Sequence, residues 1–126
     1  MLKISRELDL GLLLMSELYG KKSLSLSGWA KEKKLPYRFL CKIAGKLKRA
    51  GLIKSREGRS GGYYLTRKIG VGEIFKAIEG EIAPVACLQG KQCAAAKFCK
   101  QKKLLEFLSR GIEKELNNLS LEQLCC

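Results

Sequence analysis

The sequence predicts a mainly α-helical chain with one small β-hairpin, and three observations predict it. Apolar residues recur at helical spacing in several separate stretches. A glycine-rich turn, Gly58-Arg59-Ser60-Gly61-Gly62, sits between two short runs rich in β-favouring residues. Three helical stretches precede that hairpin and two follow it. The 126 residues are 46% hydrophobic, which suits one ordered domain, or one domain with an arm.

In chain order, Leu8, Leu12, Met15 and Tyr19 recur at helical spacing, so residues 5–19 read as a first helix with Ser5 as N-cap and Gly20 as its end. A second short helix spans residues 27–33 with Trp29 and Ala30 facing inward. Pro36 suits the first turn of a third helix. Leu40, Ile43, Ala44 and Leu47 form its buried stripe, and Gly51 stands where a left-handed residue closes a helix. Residues 52–55 and 63–66 are the two strands of the hairpin, with the basic, glycine-rich tip between them. Residues 71–79 form a fourth helix, closed by Gly80. Residues 81–99 show no period. Residues 100–116 form a long helix with Leu104, Leu105, Leu108, Ile112 and Leu116 on one side, broken by Asn117-Asn118. Ser120-Leu121-Glu122-Gln123 is a capping-box pattern that opens a last turn. The expected division is residues 1–80, 81–99 and 100–126.

Charge narrows the function. Twenty-five Lys and Arg stand against 12 Asp and Glu, a net charge of +13, which calls for an anionic partner or a solvated basic surface. No run of about 18 uncharged apolar residues exists, so no membrane-spanning helix is expected. The first residues lack the uninterrupted apolar centre of a signal peptide. A cytoplasmic protein without a membrane partner is the expectation. There is no histidine, no glycine loop placed for phosphate binding and no nucleophile–base pairing, so an enzyme is not expected.

Three helices followed by a hairpin is the order of a winged helix-turn-helix. A helix fits the major groove of B-DNA, and the hairpin beside it reaches the backbone or the minor groove. On the third helix Tyr37, Arg38 and Lys42 lie nearest the N-terminus, where base edges are met, and Lys46 follows one turn later. In the wing, Arg56 and Arg59 supply charge, while Ser60, Gly61 and Gly62 allow close approach to the sugar–phosphate backbone. Solvated charge is the competing reading for each of these cations.

Cys87, Cys93 and Cys99 form a C-x5-C-x5-C array. Thiolates are soft ligands that suit iron–sulfur clusters, zinc or copper(I). Structural zinc prefers closely spaced pairs, which this array lacks. Structural or directly oxidised cysteines remain open as readings. Cys41 lies in the third helix, and Cys125-Cys126 end the chain.

These residues resemble the Rrf2 family of bacterial winged-helix regulators, the group that includes the iron–sulfur sensors IscR and NsrR and the iron regulator RirA. The resemblance is carried by Leu47-Lys48-Arg49-Ala50-Gly51-Leu52-Ile53-Lys54-Ser55, then Gly58-Arg59-Ser60-Gly61-Gly62-Tyr63-Tyr64-Leu65. Ile74-Phe75-Lys76-Ala77-Ile78-Glu79-Gly80, the cysteine array and Leu119-Ser120-Leu121-Glu122-Gln123-Leu124 continue it. It implies a homodimer built on the long C-terminal helix, a double-stranded DNA operator, and a 2Fe-2S or 4Fe-4S cluster on Cys87, Cys93 and Cys99 that switches DNA affinity. The IscR type completes its cluster with a histidine, which this chain lacks. The NsrR type uses an aspartate from the first helix of the partner subunit, and Asp9 matches that position, with Glu7 a weaker substitute. A second departure is Glu57, where the family usually carries a basic residue. The expected function is a transcription regulator, acting as a repressor, that senses iron, redox state or nitric oxide. The alternatives are a metal-free thiol-redox regulator of the same fold, and an iron–sulfur or zinc carrier or assembly protein.

Overall fold

Ser5 accepts a hydrogen bond from the Leu8 N–H at 3.1 Å and so starts the first helix, α1 (Arg6–Leu18), in the computed structural model of the chain. The structure describes residues 4–58, 61–80 and 100–124. Ser25 caps α2 (Leu26–Lys33) in the same way, through the Gly28 N–H. Lys34 then takes a left-handed conformation, and Pro36 leads into α3 (Tyr37–Arg49). Gly51, at φ +79°, reverses the chain into β1 (Ile53–Arg56). The antiparallel partner β2 (Gly62–Leu65) returns in register, Ile53 opposite Leu65 and Arg56 opposite Gly62. Next come α4 (Val71–Glu79), α5 (Lys102–Asn118) and the single turn α6 (Leu121–Leu124).

One core joins these elements. Leu14, Met15 and Leu18 of α1 meet Leu40, Ile43 and Leu47 of α3, with Leu52, Ile53, Ile74 and Leu121 beside them, all essentially without exposure. Each such side chain contributes about 1.5–3 kcal/mol by leaving water. The buried face of α1 differs from the one its spacing suggested. Leu8, Leu10, Gly11, Leu14, Met15 and Leu18 face inward, Leu12 is half-buried and Tyr19 is exposed. Seven apolar side chains crowd this helix, more than one face can carry, so packing against α3 and α4 selects among them. Gly11 permits that packing: a Cβ there would stand 2.1 Å from Ile78 Cδ1 of α4.

The end of the chain returns to its beginning. Val71 N donates to the Leu119 carbonyl and Leu121 N to the Ile69 carbonyl, both at 2.9 Å, and Leu121 is sealed in the core. Ser120 and Gln123 form the expected capping box, Ser120 N to Gln123 Oε1 at 2.8 Å and Gln123 N to Ser120 Oγ at 3.3 Å. Between these anchors α5 lies along α4, tied by Lys76 to Glu113 at 2.7 Å. It buries no residue fully. Its apolar residues divide into two edges. Leu105, Ile112 and Leu116 are half-covered, whereas Leu104, Phe107 and Leu108 are 59%, 74% and 43% exposed. The sequence reading had merged these edges and passed over Phe107.

Candidate nucleic-acid interface

Helix α3 turns Leu40, Ile43, Ala44 and Leu47 into the core. At 100° per residue the opposite side carries Arg38, Lys42, Gly45 and Arg49 in one stripe. Three cations therefore flank a glycine, and beyond the helix's own backbone and the adjoining residues the Arg49 side chain, at 4.0 Å, is the nearest described group to a Cβ placed on Gly45. Such a surface lets a flat, anionic partner approach the helix backbone closely. Arg38 and Lys42 were expected here from the sequence. Gly45 and Arg49 were not selected, although the period that defined the buried stripe also places them opposite it.

The two edges of the stripe are braced differently. On the wing side, Lys48 Nζ donates to Ser55 Oγ of β1 at 2.8 Å. Tyr37 is exposed at the start of the helix, and a hydrogen bond with the Cys41 thiol, with Tyr63 nearby, pushes its hydroxyl above the ordinary phenol range. The hydroxyl thus keeps its proton and remains a donor. On the other side, Lys42 and Lys46 converge on Glu7 of α1. Lys42 Nζ lies 3.0 Å from Glu7 Oε1, and Lys46 Nζ lies 2.7 Å from Glu7 Oε2 and 3.3 Å from the Ile78 carbonyl. Lys46 first and Lys42 second hold the Glu7 carboxyl below the usual carboxylate range. Lys46, expected to face DNA, is thus joined to α1 and α4.

In the wing, Arg56 lies over the Tyr64 ring, 5.2 Å from its centroid, which supports the guanidinium without burying it. Gly61 and Gly62 have reasons internal to the protein. A Cβ on Gly61 would stand 2.2 Å from the Arg56 carbonyl oxygen, and one on Gly62, at φ +139°, 2.3 Å from the Leu24 carbonyl oxygen. Gly62 is pinned there because Leu24 and Tyr63 exchange two backbone hydrogen bonds of 2.8 Å. Arg59 and Ser60, expected at the wing tip, lie outside the described residues, as do Cys87, Cys93 and Cys99.

The two acids in the first turn of α1 part company. Glu7 is occupied by two lysines, while no hydrogen bond or ion pair engages the exposed Asp9 carboxylate among the described residues. Of the four residues expected to hold a metal, Asp9 alone lies among the described residues. Cys41, a half-buried free thiol on α3, is hydrogen-bonded with Tyr37.

Comparison with known proteins places this geometry. The Rrf2 profile, described as "Iron-dependent Transcriptional regulator", matches residues 4–126. The HTH-type transcriptional regulator CymR of Bacillus subtilis is 31% identical over 129 residues, covering 98% of this chain and 89% of that one. Its structure, described as that of the global cysteine regulator of B. subtilis, superposes with a TM-score of 0.76 at 32% identity, covering 99% of this chain and 97% of that one. T. potens IscR superposes with a TM-score of 0.73 at 27% identity, covering 98% and 85%. The transcriptional repressor NsrR of Streptomyces coelicolor is 28% identical over 93 residues, covering 71% and 63%. These relatives are transcription regulators, not enzymes, and no helix among the described residues is long and apolar enough to cross a membrane.

Proposed function

The chain belongs to the Rrf2 family of transcriptional regulators, and on that premise we propose that it is a homodimeric repressor whose affinity for operator DNA is switched by an iron–sulfur cluster. The observation that carries the DNA-binding part is the outward stripe of Arg38, Lys42 and Arg49 around Gly45, beside a wing bearing Arg56. Arg38 reads base edges, since its guanidinium can meet guanine in bidentate fashion. Tyr37, Lys42, Arg49, Arg56 and Arg59 meet phosphates and set register, and Lys46 holds the helix in its place. Ser60, Gly61 and Gly62 bring the wing to the backbone. Duplex DNA is the partner that matches a chain of net charge +13 with a cationic stripe along a groove-sized helix.

Dimerisation rests on α5. Leu104, Phe107 and Leu108 make an exposed apolar edge around Gly111, where an added Cβ would meet no neighbouring element within 4 Å among the described residues. A second copy laid along this edge covers it and sets two α3 helices roughly 34 Å apart, the span of one turn of DNA. Cys87, Cys93 and Cys99 are the thiolate ligands, and Asp9 of the partner subunit is the fourth. This donor set fits: three soft ligands with one hard carboxylate hold an iron–sulfur centre while leaving one iron easily exchanged. The bound cluster supplies iron that can be lost, oxidised or modified. The protein's part is to hold it by Asp9 on α1, the helix whose Glu7 grips α3.

The likeness to CymR across nearly the whole chain supports a second reading, in which the cysteines of the same fold are oxidised directly without metal. Visible absorption of the protein purified without air separates the two. The cluster reading expects a coloured protein, with colour lost in Cys93→Ala and cluster lifetime shortened in Asp9→Ala. A colourless protein, even after reconstitution with iron and sulfide, contradicts it and leaves the thiol reading.

A further inference from the structure

We infer that Glu7 is an internal stand-in for a DNA phosphate: it holds Lys42 back from nucleic acid, and releasing that contact strengthens duplex binding. The carboxylate receives two ammonium groups, at 3.0 Å from Lys42 and 2.7 Å from Lys46, as phosphate oxygens do. The two lysines stand one helical turn apart and differ in what else holds them. Lys46 is 28% exposed and also donates to the Ile78 carbonyl, so it is fixed by two elements. Lys42 is 59% exposed, lies on the outer stripe between Arg38 and Arg49, and has Glu7 as its partner. An exposed ion pair is weak and easily screened, so a phosphate can take Lys42 from Glu7 while Lys46 stays in place.

The position of Glu7 depends on two other elements. Ser5 Oγ donates to the Glu79 carboxylate, and Lys46 joins Glu7 to the Ile78 carbonyl, so the first turn of α1 is fastened to the last turn of α4. Asp9 follows two residues after Glu7 on the same helix. A pull on Asp9, or on the chain where it leaves Gly80, therefore moves the carboxylate that restrains Lys42. This coupling rests on the cluster reading above; the competition between Glu7 and phosphate does not.

The test uses the metal-free 126-residue chain and a mixed-sequence duplex of about 30 base pairs, chosen because phosphate contacts dominate non-specific binding. Fluorescence anisotropy across a salt series gives affinity and the slope of log affinity against log salt. Glu7→Gln is expected to bind about 5–10-fold tighter at low salt, with a slope steeper by about 0.9, one additional phosphate. Adding Lys42→Ala to Glu7→Gln should return both to the values of Lys42→Ala alone. Should Glu7→Gln lose helical circular dichroism, Glu7→Asp, which keeps the charge but shortens the reach, serves instead with the same expectation. A folded Glu7 variant with unchanged or weaker binding and an unchanged slope overturns the inference. A wild-type chain that binds no duplex at any salt overturns the DNA-binding reading as well.

Discussion

The first eighty residues and the helix that follows treat apolar side chains in opposite ways. Helices α1, α3 and α4 bury most of their leucines and isoleucines in a shared core, Leu13 of α1 being the exposed exception, while α5 sets Leu104, Phe107 and Leu108 in water. Both regions obey the same hydrophobic rule, so the difference lies in what each has to pack against. The head is completed by its own chain; α5, held at one edge by α4 and at its end by α6, is half of the interface in the proposed dimer. Exposed apolar surface of this kind marks association.

The comparison breaks first at Phe107. Phe107→Asp places a charge in the centre of the proposed interface, and the dimer dissociation constant is expected to rise more than about 100-fold, as for a central aromatic anchor. Light scattering after size-exclusion chromatography reads the mass, and circular dichroism checks that the head stays folded. A Phe107→Asp protein that remains a dimer assigns the interface elsewhere.

Two glycines sharpen it further. Gly11→Ala forces a methyl group against Ile78 and should cost about 1–3 kcal/mol of stability, read as a lowered urea midpoint. Gly111→Ala meets open space among the described residues of one chain, and helix propensity favours alanine there by about 1 kcal/mol. A stabilised Phe107→Asp monomer carrying Gly111→Ala, beside a weakened dimer in the Gly111→Ala protein, would place that glycine at the helix crossing.

The smallest expected effect lies within the first region, where the chain passes from β2 into α4. Arg67 grips Glu73 through two hydrogen bonds, 3.0 and 2.6 Å, and Gly70 N donates to the same carboxylate at 2.9 Å. Arg67 first, and the Gly70 N–H besides, hold the Glu73 carboxyl below its usual range against a smaller opposing push from burial. A depressed folded-state pKa means stabilisation that is present above the unfolded glutamate value, about 4.3, and lost as pH falls through the folded one. The pair is nearly half exposed, so solvent screening keeps its contribution at or under about 1 kcal/mol. Thermal melts of wild type and Glu73→Gln should differ at pH 7 and converge as the pH falls below the usual glutamate range. A difference that persists in acid would remove the ion pair as its cause.

Much of the fold was legible because local signals agreed. Ser5, Pro36, Gly51 and the Ser120–Gln123 box each stand at the helix boundary that their chemistry prescribes. The face of α1 was not legible, since Leu8, Leu10, Leu12, Leu13, Leu14, Met15 and Leu18 fit several stripes and only contact with α3 and α4 chooses one. For the same reason the stripe on α5 split in two once α4 covered one edge. At the candidate site, the cations of α3 were visible in the sequence, but their pairing was not. Glu7 and Lys42 lie 35 residues apart, and no local pattern encodes a contact of that separation. The sequence shows the wing glycines but not the internal close approaches that require Gly61 and Gly62, which lie with the backbone of Arg56, Glu57, Gly58, Leu24 and Ser25.

Native mass spectrometry of the chain isolated without air tests the central claim most directly, because it weighs the subunits and their inorganic content together. The account predicts a dimer carrying iron and sulfide, reduced to a metal-free dimer when Cys87, Cys93 and Cys99 are replaced by serine. A dimer of bare polypeptide mass, unchanged after reconstitution with iron and sulfide, would contradict it.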